Sequence, residues 1–128
     1  MARIAVVDDS KLVRVFAAAA LRKAGHEVLL VEPDSLEDVL DALSQGKPDL
    51  LLLDHSMPAF QGPSLVRACF EHPDLSRIKV IILTAFHDEA MDERMSKLGV
   101  DCVLHKPILH EDLVEAVERV LAAPPKDA

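Results

Sequence analysis

Short apolar runs alternate five times with stretches where apolar residues recur every three or four positions. The first pattern is that of a buried strand, the second that of a helix with one buried face. The runs predict strands over 3–7, 27–31, 49–53, 79–83 and 100–104. Helical spacing follows each strand. Val13, Phe16, Ala17, Ala20, Leu21 and Ala24 mark the first helix, and Leu36, Val39, Leu40 and Leu43 the second. Leu65, Val66, Cys69 and Phe70 mark the third, Met91, Met95 and Leu98 the fourth, and Leu113, Val114, Val117, Val120 and Leu121 the fifth. Gly25, Gly46 and Gly99 stand where a left-handed helix C-cap is wanted. Ser35 followed by Asp38 resembles a capping box. Strands without polar interruption belong in a sheet covered on both faces. Their alternation with helices predicts an α/β fold, a doubly wound parallel sheet with right-handed crossovers.

Composition narrows this picture. At 128 residues, half of them apolar, the chain fits one packed domain over 1–121. The Pro-containing stretch 122–128 reads as a tail or the start of a linker. The formal charge is −8, from 14 basic and 22 acidic residues, and no basic block stands out. Phosphate-backbone binding needs clustered Lys and Arg, so direct nucleic-acid binding is not expected. The apolar runs are too short to span a bilayer. Met1-Ala2-Arg3 leads directly into a strand, leaving no room for a secretory leader, so a cytoplasmic protein is expected. Cys69 and Cys102 then read as reduced core thiols.

Candidate chemistry lies at the strand ends. Asp8 and Asp9 close the first strand and Asp54 the third. In open parallel sheets, ligands bind outside the carboxyl ends of the strands. Three carboxylates meeting there repel, at roughly 4 kcal/mol per pair at about 4 Å and an effective dielectric near 20. A hard divalent cation relieves that repulsion, and Mg²⁺ suits one or two carboxylates with waters and a phosphate. The competing reading makes Asp8 or Asp9 a cap for the helix beginning near Ser10. Thr84 closes the fourth strand and Lys106 follows the fifth. A lysine aimed into an anionic site neutralises charge and binds a phosphoryl oxygen. Taken singly, Thr84 reads equally as a helix N-cap and Lys106 as a solvated lysine. Pro107 admits a cis Lys106–Pro107 bond.

Taken together, Val7-Asp8-Asp9-Ser10, Leu53-Asp54-His55-Ser56-Met57-Pro58 with Gly62 beyond, Leu83-Thr84-Ala85 and Lys106-Pro107 carry a resemblance. Over nearly its whole length the chain resembles the receiver (phosphoacceptor) domain of two-component response regulators, in particular chemotaxis-type regulators. The resemblance implies a flavodoxin-like fold, a five-stranded parallel sheet in order 2-1-3-4-5 with five helices. It implies Mg²⁺-dependent phosphorylation of Asp54 by a sensor histidine kinase or histidine phosphotransfer protein. Asp9, Asp54 and the Ser56 backbone carbonyl would ligate Mg²⁺, and Asp8 would act through water. Lys106 would bind a phosphoryl oxygen, and Thr84 would turn its hydroxyl to another after transfer. A downstream protein or effector domain would be met by the face of the fourth helix, fifth strand and fifth helix, with a homodimer across that face left open.

Departures from the family pattern carry their own expectations. Val103 stands where an aromatic, three residues before the lysine, follows the threonine inward. Valine is stiff at χ1, so the loop after Thr84 and the fourth helix are expected to carry the response. Ser56 and Phe86, at the water entrance in this family, supply no acid or amide, so slow phosphoryl loss is expected; Phe86 also reads as a surface aromatic. His55 and His105 flank Asp54 and Lys106, but neighbours along a strand face opposite ways. The other four histidines look like loop or helix-end residues. Other function classes fit less well. An aspartyl-phosphate phosphatase wants an acid where Ser56 stands, and a flavodoxin-like cofactor site wants Gly, Ser and Thr where Asp8 and Asp9 stand. A degenerate receiver acting as a phosphorylation-independent interaction module is the alternative. On this reading the chain is a signalling domain and not an enzyme.

Overall fold

A computed structural model describes residues 1–125; the last three positions of the expected tail, 126–128, lie outside the described residues. The chain runs β1 (Arg3–Val7), α1 (Lys11–Lys23), β2 (Glu27–Val31), α2 (Leu36–Gly46), β3 (Leu50–Asp54), α3 (Gly62–Glu71), β4 (Lys79–Thr84), α4 (Glu89–Leu98), β5 (Cys102–His105) and α5 (His110–Ala122). All strand pairs are parallel, and the sheet order is β2-β1-β3-β4-β5. Strand alternation divides the apolar residues between two cores. Ala5, Val7, Leu51, Leu53, Val80 and Ile82 pack with the buried side chains of α2, α3 and α4. Ile4, Val6, Leu50, Leu52, Ile81 and Leu83 pack with those of α1 and α5. Both faces are covered, which is why β1, β3 and β4 carry no polar side chain between their entering ends and the point where they emerge. Each such leucine or isoleucine contributes about 1.5–3 kcal/mol by leaving water.

The expected strands and helices are all present; β1 and β2 have the expected bounds, and the ends of β3, β4 and β5 are shifted. β3 starts one residue late because Asp49 is a clip: its amide donates to the Arg3 carbonyl (2.7 Å) and its carboxylate accepts from the Arg3 amide (2.8 Å). β5 starts two residues late because Val100 still closes α4, its amide donating to the Met95 carbonyl at 3.0 Å. Gly25 and Gly99 take the expected left-handed conformation (φ +96° and +109°). Gly46 does not. It is the last residue of α2, and Lys47 takes the left-handed cap at φ 49°. What position 46 requires is space, since a Cβ there would lie 2.5 Å from Leu29 Cδ2. Phe16 also departs from expectation: with Leu12 and Val15 it is exposed on α1, outside the buried stripe of Ala17, Ala20 and Leu21. Ser35 caps α2 by accepting from the Asp38 amide at 3.0 Å. Both cysteines are free, but only Cys69 is fully buried; its thiol is pushed up to about 12 by burial. Cys102 is half-buried beside Arg119.

Candidate functional site

β1 and β3 lie side by side, and the helices that follow them, α1 and α3, pack on opposite faces of the sheet. Their carboxyl ends therefore open a crevice at a topological switch point. Asp8, Asp9 and Asp54 meet in it, with one oxygen of each within 4.8 Å of the others. Asp8 is fully buried and Asp54 nearly so, whereas Asp9 is exposed.

Both buried carboxylates are held by local structure. Asp8 Oδ1 accepts from the Ser10 amide at 2.8 Å, and its backbone carbonyl accepts from Arg14 Nη1 at 2.5 Å. Ser10, not an aspartate, caps α1 through its hydroxyl, which accepts from the Val13 amide at 3.3 Å. Asp54 ends the β3 ladder opposite Leu83, and its Oδ1 lies 3.4 Å from the Ser56 amide. The chain then folds back, with Ser56 bridged to Gln61 and the Gly62 amide donating to the His55 carbonyl at 2.7 Å. A Cβ at Gly62 would lie 2.6 Å from the Asp54 carbonyl and 3.1 Å from His55 Cα. Only glycine admits this approach, because the colliding atoms are backbone.

Lys106 reaches the cluster from the end of β5. Its Nζ lies 3.0 Å from Asp8 Oδ2 and 3.4 Å from Asp54 Oδ1. The Lys106–Pro107 peptide is cis, and the Lys106 amide donates to the Thr84 carbonyl at 2.7 Å. Burial first, and then the negative charge of Asp8, pushes the Asp54 carboxyl up to about 6; Lys106 offsets part of that rise and a hydrogen bond with Asp9 adds to it. Burial pulls the Lys106 ammonium down, but its bonds and charge pairing with Asp8 and Asp54 outweigh this, so it is held above the ordinary lysine value. One lysine does not neutralise three carboxylates. The donor set is all oxygen, one member is open to solvent, and the pocket holds excess negative charge, which together fit a small hard divalent cation.

Thr84 is fully buried at the end of β4, and its Oγ1 accepts from the Phe86 amide at 3.0 Å. The α4 N-cap is instead Asp88, which accepts from the Ala90 and Met91 amides at 3.0 and 3.3 Å. Phe86 is exposed. His55 Nδ1 lies 3.0 Å from Ser56 Oγ, and burial together with the Arg94 charge lowers its pKa. His105 lies beside α4, 3.0 Å from Asp92 Oδ2. Arg14, bound to the Asp8 carbonyl, was not among the expected site residues. Its position one turn past the Ser10 cap, on the strand-end side of α1, is the signal that could have marked it. Beside Lys106 an open apolar groove of about 600 Å³ runs between α1 and the turn into α5, lined by Leu12, Phe16, Pro107 and Ile108 among others.

A buried acidic crevice with a lysine and a threonine, at the carboxyl edge of a doubly wound sheet, defines a class of phosphoryl- and cation-handling sites. The model of the response regulator receiver domain matches residues 4–118, and the chain belongs to that family. It is 35% identical over 122 residues to protein PilH of Pseudomonas aeruginosa, covering 95% of this chain and 99% of PilH. It is 32% identical over 118 residues to the phosphate regulon transcriptional regulatory protein PhoB of the same organism, covering 92% of this chain and 51% of PhoB. Among solved structures it is similar to the Vibrio cholerae chemotaxis protein CheY4, with a TM-score of 0.85 and 25% identity, covering 94% of this chain and 98% of that one. The protein is thus a receiver domain of two-component response regulators, a signalling class rather than a class of conventional enzymes. Members of the family work with histidine kinases or phosphotransfer proteins and with downstream effectors, and phosphorylation and Mg²⁺ binding are typical of them.

Proposed function

We propose that this chain accepts a phosphoryl group on Asp54, in a Mg²⁺-dependent reaction, from a histidine of a sensor kinase or phosphotransfer protein. The observation that carries this reading is the meeting of Asp8, Asp9 and Asp54 at a single sheet edge, with Lys106 against the two buried ones. Asp9, Asp54 and the Ser56 backbone carbonyl are the residues that would hold Mg²⁺, with Asp8 acting through water. When bound, the cation supplies positive charge that lets carboxylates and phosphoryl oxygens share one small space.

The chain's own residues do the rest. An Asp54 carboxylate oxygen attacks phosphorus, a bond forms between them, and the bond to the donor imidazole breaks with its electron pair leaving on the donor nitrogen. Lys106 already lies against both buried carboxylates and needs only a small movement to meet a phosphoryl oxygen. The Thr84 hydroxyl accepts from the Phe86 amide before transfer, and by turning away from it would bring its own proton to another phosphoryl oxygen. The donor protein would dock over the apolar groove beside α1, next to Lys106. Output would pass through the face formed by α4, β5 and α5 to a downstream protein or effector domain. Residues 1–121 form the receiver unit of this reading and 122–128 a tail or linker start, at work in the cytoplasm and without direct nucleic-acid contact. Among the described residues no helix is long and apolar enough to cross a membrane. A degenerate, phosphorylation-independent module is set aside because such a domain has no need to keep two aspartates buried at a cost.

Intact-mass spectrometry after treatment with acetyl phosphate and Mg²⁺ tests this. One added phosphoryl group is expected, absent with a chelator and absent in Asp54→Asn. No added mass, or the same added mass in Asp54→Asn, refutes it.

A further inference from the structure

The loop from β4 into α4 carries contacts that the phosphoacceptor chemistry does not use. The His87 ring, on this exposed loop, stacks on the His105 ring at the end of β5, with centroids 4.8 Å apart and planes 17° from parallel. His105 is the register partner of Thr84, so the ring stands beside the residue that closes β4. On its other side His105 Nε2 comes within 3.0 Å of Asp92 Oδ2, in the first turn of α4. The contact is close but falls short of a hydrogen bond. His105 Nε2 and Asp92 Oδ1 are both buried and both lack a hydrogen-bond partner.

We propose that the stacked His87–His105 pair, braced on Asp92, is the lever by which the β4–α4 loop transmits the state of Thr84 to α4. The proposal rests on the phosphoacceptor reading above, because it needs Thr84 to change partners. In the present state the Thr84 hydroxyl accepts from the Phe86 amide and so anchors the loop one residue before His87. If that hydroxyl turns toward a phosphoryl oxygen on Asp54, the Phe86 amide loses its acceptor and the loop must move. His87 moves with it, because it directly follows the anchored Phe86. Unstacking frees the His105 ring to rotate, and a better-aligned contact with Asp92 satisfies the polar atoms now left unpaired. A buried polar atom without a partner is disfavoured, so the present arrangement is one in which a modest push selects another. Val103, two residues earlier on the same face of β5, is stiff at χ1 and has no ring to move.

The test uses the full chain, phosphorylated with acetyl phosphate and Mg²⁺, with the degree of phosphorylation read by intact mass. Hydrogen exchange at the amides of α4 reports the lever. Phosphorylation is expected to change α4 exchange roughly 2- to 10-fold in the wild type, the range a stacked ring pair contributes to a two-state equilibrium. His87→Ala, at an exposed loop position, is expected to phosphorylate to the wild-type extent yet lose most of the α4 change. His87→Phe, which keeps a stacking ring, is expected to restore it. Normal phosphorylation of His87→Ala with the α4 response intact overturns the lever alone, as does a phosphorylated wild type whose α4 does not respond. Absence of phosphoryl transfer to the wild type overturns the phosphoacceptor reading and the lever with it.

Discussion

Replacing Asp54 by asparagine removes a charge from a place that resists one, so the substitution that abolishes the proposed chemistry is expected to stabilise the fold. The carboxyl titrates at about 6 in the native protein against an ordinary value of 3.8. At 1.36 kcal/mol per factor of ten, ionising it near neutral pH costs the native state about 3 kcal/mol. Asparagine keeps the shape and an acceptor oxygen for Lys106 and the Ser56 amide, so about 1–3 kcal/mol of that cost is expected to return as stability. For a domain of this size the gain raises Tm by about 3–10 °C. The pH dependence has a definite sign. Between 3.8 and about 6 the native state holds the Asp54 proton more tightly than the unfolded state, so this site makes stability fall as pH rises through that window. The advantage of Asp54→Asn is therefore full above about pH 6, shrinks through the window and vanishes below the unfolded value. Urea unfolding followed by circular dichroism, in a chelator at about pH 7.5 and again at about pH 4.5, measures both the gain and its loss. An Asp54→Asn protein no more stable than wild type at the higher pH refutes the reasoning. So does a gain that does not change with pH, since it would have some origin other than the buried charge.

Other perturbations separate the parts of the site. Lys106→Met strips the cation from fully buried Asp8 and from Asp54, and is expected to destabilise by about 3 kcal/mol in a chelator and to slow acetyl-phosphate labelling; unchanged urea midpoints contradict the pairing described. Gly62→Ala forces a methyl group against the Asp54 and His55 backbone and is expected to cost about 1–3 kcal/mol, measured by the same unfolding curves, with a neutral result ruling out the close approach. Phe86→Glu places an acid on the exposed residue whose amide holds Thr84, and is expected to speed phosphoryl loss several-fold by orienting water; an unchanged decay in a chase followed by intact mass removes that explanation of a long-lived phosphoryl group.

Much of this protein is fixed by local sequence. Strands such as Leu50-Leu51-Leu52-Leu53 have no polar side chain to face water, so a sheet covered on both sides was the outcome consistent with them. Asp8, Asp9, Asp54, Thr84 and Lys106 were legible for the same reason: each is the first polar break after an apolar strand or lies just beyond it. What remained open was decided by contacts between segments far apart in the chain. Sequence could not choose between cap and site for Asp8 or Thr84; in the fold Ser10 and Asp88 take the caps, and Lys106 arrives from β5 beside Asp8. Gly46 looked like a left-handed cap because glycine usually is one there, but the Leu29 side chain across the α2–β2 contact requires the missing Cβ, and Lys47 makes the turn. Phe16 carried helical spacing but faces a groove rather than the core, because α1 turns its alanines to the sheet. The stack of His87 on His105 was invisible for the same physical reason. A ring contact between a loop and a strand depends on register and rotamer, which exist only once the sheet has assembled.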